Sequence, residues 1–254
     1  MGDFELVLIF FVVALFYSAV GFGGGSSYLA IMALYGIPML EMKTIALVCN
    51  IIVVTSGTYL FYAKGLLNFK KLLPLVILSI PMAFIGGLLR TGDKIFLVVL
   101  GFSLVLAATL MIVEVVKKKK EEVISKSDSL VLNAGLGGGV GMLSGFVGIG
   151  GGIFLAPLLH FTRWGFTRQI AAASSFFILV NSIAGLTGHI FRSGVQLQYE
   201  VILPLILAVF AGGQIGSRIT TGYLNQKVIK ALTGLLILYV GCKIIIQQLF
   251  DVYF

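Results

Sequence analysis

Two glycine runs hold the groups best suited to chemistry in this sequence. One is "GFGGG" (Gly21–Gly25) and the other lies in "LSGFVGIGGGIFLAP" (Leu143–Pro157). Glycine inside a helix costs about 1 kcal/mol relative to alanine. Three in a row, within long apolar stretches, break the helix and free backbone N–H groups. Helical sequence resumes near Ser26 and Ile153, so each run is followed by a half-helix whose N-terminus carries a positive dipole end. Such ends bind anions without a cationic side chain. The candidate ligand groups are therefore Gly23, Gly24, Gly25 and Ser26, and in the second run Gly150, Gly151 and Gly152. Close helix packing is the competing use of small residues. The duplication of the run with its flanks favours a site.

Polar residues of the adjoining segments come next. Asn50, Ser56, Ser174, Ser175, Asn181 and Thr187 stand in otherwise apolar sequence. Interhelical hydrogen bonds explain such residues at about 0.6 kcal/mol each. As a group they supply neutral donors that can hold a desolvated oxyanion and release it, with Ser174, Ser175 and Asn181 the foremost candidates and Asn50 also counted among the binding residues. His189, near Arg192, is a candidate for proton coupling or gating. Arg218, at a segment end, is a candidate for drawing anions to a pore mouth or for snorkelling to headgroups. His160 and Lys43 read as segment-end residues, and Glu114 as a local partner of Lys117. No segment carries paired carboxylates in mid-membrane, which favours an anion or neutral solute over a metal cation.

The elements that position these residues follow from composition. The chain has 254 residues, of which 59% are hydrophobic and 11% charged, against about 25% charged in soluble domains. Its mean hydropathy is +1.08. Apolar segments are predicted at about 4–20, 26–37, 42–63, 70–89, 94–116, 129–147, 151–162, 168–191, 200–220 and 226–250. Continuous rather than alternating hydrophobicity excludes a β-barrel. The expected fold is an all-α polytopic membrane protein with 8–10 membrane segments. The first segment lacks a basic n-region and reads as a retained helix rather than a signal peptide. Cys49 and Cys242 lie in apolar sequence and read as free thiols. No metal, phosphate-loop or dinucleotide motif is present, so no cofactor is expected. The net charge of +8 is dispersed over segment ends and a basic run, which points to topology and lipid rather than nucleic acid.

The sequence also repeats itself. A polar linker, 117–128, separates a first half (1–116) from a second (129–254). Each half has a glycine run, about ten apolar residues, a turn, a small-and-polar helix and a proline-bearing helix. Asn50…Ser56-Gly57 and Asn181…Thr187-Gly188 align by pattern at a spacing of 131, against 127 for the glycine runs. Positive residues mark the cytoplasmic side. If each glycine region enters and returns on one side, 13 of the 18 Lys and Arg residues share the linker's side, Lys117–Lys120 among them. Lys43, Arg90, Lys94 and Arg192 lie opposite. If each is a single crossing, the tally is nearly even. The hairpin reading makes the halves inverted-topology repeats, each a broken hairpin plus three helices, as in many transporters.

The second half, with "GFVGIGGGIFLAPLL" (Gly145–Leu159), "AAASS" (Ala171–Ser175) and "GGQIGSR" (Gly212–Arg218), resembles the sulfite exporter TauE/SafE family, and the resemblance spans essentially the whole chain. The first half departs: it lacks the counterpart of Pro157, and "TIALVC" replaces the small-polar run. The resemblance implies transport of small sulfur-containing or organic anions such as sulfite, thiosulfate or sulfonates, coupled to an H+ or Na+ gradient. The expected location is the cell membrane, with membrane lipids and the anion as partners and homo-oligomerisation left open. Alternating access between the halves would use hinges at Gly36–Pro38, Pro74, Pro81 and Pro204. A passive anion channel is the main alternative. A membrane enzyme lacks any nucleophile–base pair or metal cluster to support it.

Overall fold

A computed structural model describes residues 2–89, 91–116, 129–193, 199–219 and 226–250. The linker with Lys117–Lys120, and Arg90, lie outside the described residues. The helices are α1 (Gly2–Val20), α2 (Gly25–Leu34), α3 (Met39–Ala63), α4 (Phe69–Leu88), α5 (Asp93–Val116), α6 (Leu130–Val147), α7 (Gly152–Phe161), α8 (Thr167–Ser193), α9 (Tyr199–Ile219) and α10 (Gln226–Phe250). They match the ten predicted segments. Five of them, α3, α4, α5, α6 and α8, are long and apolar enough to cross a membrane over their described residues. Large apolar side chains such as Phe4, Leu73, Ile77, Phe102, Leu207 and Tyr239 face outward, as a lipid-facing surface requires.

The two halves pack in matching ways. α1 lies against α9, and its counterpart α6 lies against α4. α5 pairs with its own counterpart α10, and α3 with α8. α2 touches α3 and α10, just as α7 touches α8 and α5. Exchanging α1–α5 for α6–α10 turns every such helix pair into another that is also in contact. The halves are thus contiguous in sequence but interlocked in space, since the first helix of each packs on the fourth helix of the other.

Small residues make the closest of these contacts. Gly137, Gly141 and Gly145 of α6 recur every four residues. A Cβ on them would strike the backbone of Leu75, Ser79 and Ala83 on α4. Gly212 and Gly216 of α9 lie in the same way on the carbonyls of Phe11 and Leu15 of α1. In lipid, where no hydrophobic force drives helices together, close backbone approach of this kind supplies the packing.

α2 and α7 are different. Each has ten residues, so each is about 15 Å long, half of a hydrocarbon core of roughly 30 Å. Gly25–Met32 of α2 and all of Gly152–Pro157 in α7 are buried. These are the two half-helices, enclosed by the longer ones, and they begin one residue earlier than the sequence pattern predicts.

Candidate functional site

α2 and α7 start from glycine N-caps. Gly24 has φ 89° and Gly151 φ 81°, both left-handed, a conformation that other L-residues adopt at a cost of about 1–2 kcal/mol. The breaks meet in space. Asn50 of α3, wholly buried, accepts a hydrogen bond at Oδ1 from Gly25 N–H at 2.8 Å. Its Nδ2 donates to the Ile149 carbonyl at 3.0 Å. One side chain therefore caps the first half-helix and holds the chain that leads into the second. A Cβ on Gly150 would lie 2.8 Å from Nδ2 of Asn50, and one on Gly25 would lie 2.8 Å from the Ile149 carbonyl. Side chains are excluded from both runs for lack of room.

The two breaks are not chemically equal. At the first, Asn50 occupies the N-terminus, and the Tyr17 hydroxyl bonds Ser27 Oγ at 2.6 Å and lies 3.4 Å from Ser26 Oγ. Val54 closes in beside Gly23. At the second, the position matching Asn50 is Ile178, whose apolar side chain lies against Gly150 and Gly152 and can accept no hydrogen bond. Phe154 and Leu155 N–H both go to the Gly151 carbonyl, while among the described residues the N–H groups of Gly152 and Ile153 have no acceptor. A Cβ on Gly150 would meet Ser182 Oγ at 2.9 Å, and one on Gly151 would meet Cβ of Ser144 at 3.2 Å. The hydroxyls of Ser144, Ser174 and Ser182 and Oδ1 of Asn181 are buried without a partner. Buried polar groups are nearly always paired. Ser182 beside Gly150 and Ser144 beside Gly151 thus place two unpartnered hydroxyls on the chain at the positive end of α7.

The remaining predicted residues fall in several places. Ser174 sits on α8, its carbonyl 3.5 Å from where a Gly152 Cβ would stand. The Ser175 hydroxyl is 3.0 Å from that of Thr58, joining α8 to α3. Asn181 Nδ2 donates to Ser79 Oγ and to the Phe177 carbonyl at 3.0 and 2.8 Å, reaching α4. Ser56 and Thr187 donate to carbonyls of their own helices. Arg218 is exposed at the end of α9. His189 is buried, with Nε2 3.2 Å from the Leu40 carbonyl. His160 lies 3.3 Å from Glu114, so α7 and α5 meet through a polar pair and Glu114 is engaged beyond its own helix. Among the described residues no His, Cys, Asp or Glu cluster is placed to hold a metal ion.

The structure also sets the register between the halves. Asn50 lies against Gly23 and Gly25, whereas Ile178 lies against Gly150 and Gly152. Val54 faces Gly23 and Ser182 faces Gly150. Counterparts on α3 and α8 are thus 128 apart, so Asn50 corresponds to Ile178 and Val54 to Ser182. The apparent pair Asn50 and Asn181 is one turn out of register. Ser144 and Ser182 escape a sequence reading because a lone serine in an apolar helix does not reveal which glycine it faces.

The comparisons agree with this architecture. Residues 6–244 match the model of the family described as Sulfite exporter TauE/SafE. The chain belongs to that family. A protein of Sinorhizobium fredii named probable membrane transporter protein y4hK is 35% identical over 243 residues, covering 94% of this chain and 97% of its own length. Probable membrane transporter protein ORF9 of a Sinorhizobium species is 29% identical, covering 90% of this chain and 88% of its own. Probable membrane transporter protein YunE of Bacillus subtilis matches over 113 residues at 29% identity, which is 44% of this chain and 40% of that protein. The TauE/SafE family match, with the apolar helices, makes this chain a multi-pass membrane protein of a transporter family.

Proposed function

We propose that this TauE/SafE family member is a secondary transporter of small anions, sulfur oxyanions or sulfonates, and that it binds them at the second glycine break. One observation carries the reading: the buried N-terminus of α7 has open N–H groups beside the unpartnered hydroxyls of Ser144 and Ser182. Neutral donors suit a carrier, because a fixed buried cation at the same place would hold the anion too tightly to release it. The first break, closed by Asn50, serves as scaffold. Alternating access then works by relative motion of the interlocked halves, with the prolines of α4 and α9 (Pro74, Pro81, Pro204) as flexure points. We place the protein in the cell membrane, the basic linker cytoplasmic and the halves inverted, with uptake or efflux coupled to an H+ or Na+ gradient.

The test is flux of labelled sulfite, thiosulfate and isethionate in proteoliposomes, with thermal-shift ranking of the same anions. Saturable flux that needs an ion gradient supports the carrier. Non-saturating flux independent of any gradient would indicate a passive channel instead.

A further inference from the structure

Lys43 is the most completely buried cation among the described residues. It lies one turn into α3, only 2% exposed. Its Nζ stands 4.6 Å from the Phe96 ring centroid and 5.0 Å from that of Phe146. Among the described residues no carboxylate pairs with it and no carbonyl accepts from it. A buried charge without a counter-charge is strongly disfavoured unless something compensates it, and ionisable residues in membrane helices mark ion pathways by default.

Its surroundings name the compensating charge. Lys43 lines a cleft of about 320 Å³ with His189, Arg192, Met39, Leu40 and Gly87. Arg192 donates to the Leu88 carbonyl at 2.9 Å and is itself exposed. No acidic side chain lines this cleft. On its inner side the Lys43 stem runs past Gly148 (φ 87°), whose Cβ would meet Lys43 Cα at 3.4 Å and Cγ at 3.5 Å. Gly148 is two residues before Gly150, at the mouth of the second break. The cleft thus holds an exposed guanidinium and an enclosed ammonium, and the lysine that carries the ammonium packs against the chain leading into the second break.

The other half differs at the matching position. The counterpart of Gly148 is Gly21, which meets Ala171 where Gly148 meets Lys43, again at a spacing of 128. At this position the first glycine break faces an alanine methyl and the second a lysine.

We propose that this cleft is an oxyanion docking site, with Lys43 its charge, that captures the substrate before transfer to the Gly150–Gly152 break. The inference rests on the break as binding site for its second step only. Docking from one side makes the kinetics of entry unequal on the two membrane faces. A water-soluble oxyanion and a lipid phosphate share the chemistry, and the test separates them.

The experiment measures sulfite association by stopped flow on the full-length protein in neutral detergent, at increasing sodium chloride. Lys43→Met, Lys43→Arg, Arg192→Gln and Gly151→Leu are compared with the unmodified chain. The expected result is a tenfold or greater loss of association rate in Lys43→Met. Lys43→Arg keeps most of the rate, and Arg192→Gln shows a weaker salt dependence, because screening acts on exposed charge. Arg192→Gln keeps the test open if Lys43→Met fails to fold, since Arg192 is at the surface. Unchanged rate and salt dependence in these variants would overturn the docking site. Lys43-dependent stabilisation by phosphatidylglycerol vesicles with no effect of sulfite would also overturn it, in favour of a lipid site. Loss of binding in Gly151→Leu alone leaves the break standing and removes the cleft. Loss in Lys43→Met alone does the reverse.

Discussion

Asn50 donates from Nδ2 to the carbonyl of Ile149 at 3.0 Å, across 99 residues of sequence and between the two halves of the molecule. The same side chain caps α2 through Oδ1. Two glycine breaks that look like independent copies are thus one structural unit, held at a single amide.

Replacing Asn50 with alanine orphans the Gly25 N–H and the Ile149 carbonyl, both buried. Each orphaned group costs about 1–3 kcal/mol. The expected outcome is a lower thermal midpoint in detergent and a loss of flux. Asn50→Asp keeps an acceptor for Gly25 but loses the donor to Ile149, and retains less than half of the flux if the tie between breaks is what matters.

Gly151→Ala combines a left-handed φ with a Cβ 2.9 Å from the Phe177 ring. It is expected to destabilise by about 1–3 kcal/mol and to abolish anion-induced thermal stabilisation. Gly139→Ala, in the same glycine-rich region, meets open space and adds helix propensity of about 0.5–1 kcal/mol. Its thermal midpoint stays level or rises, and its anion response is unchanged.

Ser182→Ala and Ser144→Ala each remove a buried hydroxyl that has no partner. Stability is expected to hold or improve, because no hydrogen bond is lost. Anion affinity should fall about tenfold, the worth of one hydrogen bond to a charged group. Isothermal titration with sulfite checks the affinity, and thermal unfolding checks the stability. A parallel loss of both would assign the serines to packing.

Topology has its own test. In a chain with Cys49 and Cys242 replaced by serine, single cysteines at Lys64 and at Arg163 should both react with a membrane-impermeant maleimide from the side of the 117–128 linker. A cysteine at Arg192 should react from the opposite side. Labelling of position 163 from the side opposite the linker removes the hairpin reading and with it the inversion of the halves.

The sequence by itself determined the ten helices, their order, the two breaks and the internal repeat. These rest on local physics: apolar runs of membrane length, glycine triplets that cannot stay helical, and charges gathered at segment ends. It did not determine register between the halves. Aligning Asn50 with Asn181 at 131 rather than with Ile178 at 128 is an error of three residues, which is nearly one helical turn. It preserves the face and moves the level by about 4.5 Å, so the apolar pattern is almost unchanged. Only the tertiary structure decided the level. It showed that Asn50 closes one break while Ser144 and Ser182 stand open at the other. It also turned Lys43 from a segment-end residue into a cation enclosed by Phe96 and Phe146. Those facts depend on which helix faces come within a few ångströms of each other, and close contact between residues a hundred apart leaves no trace in local sequence.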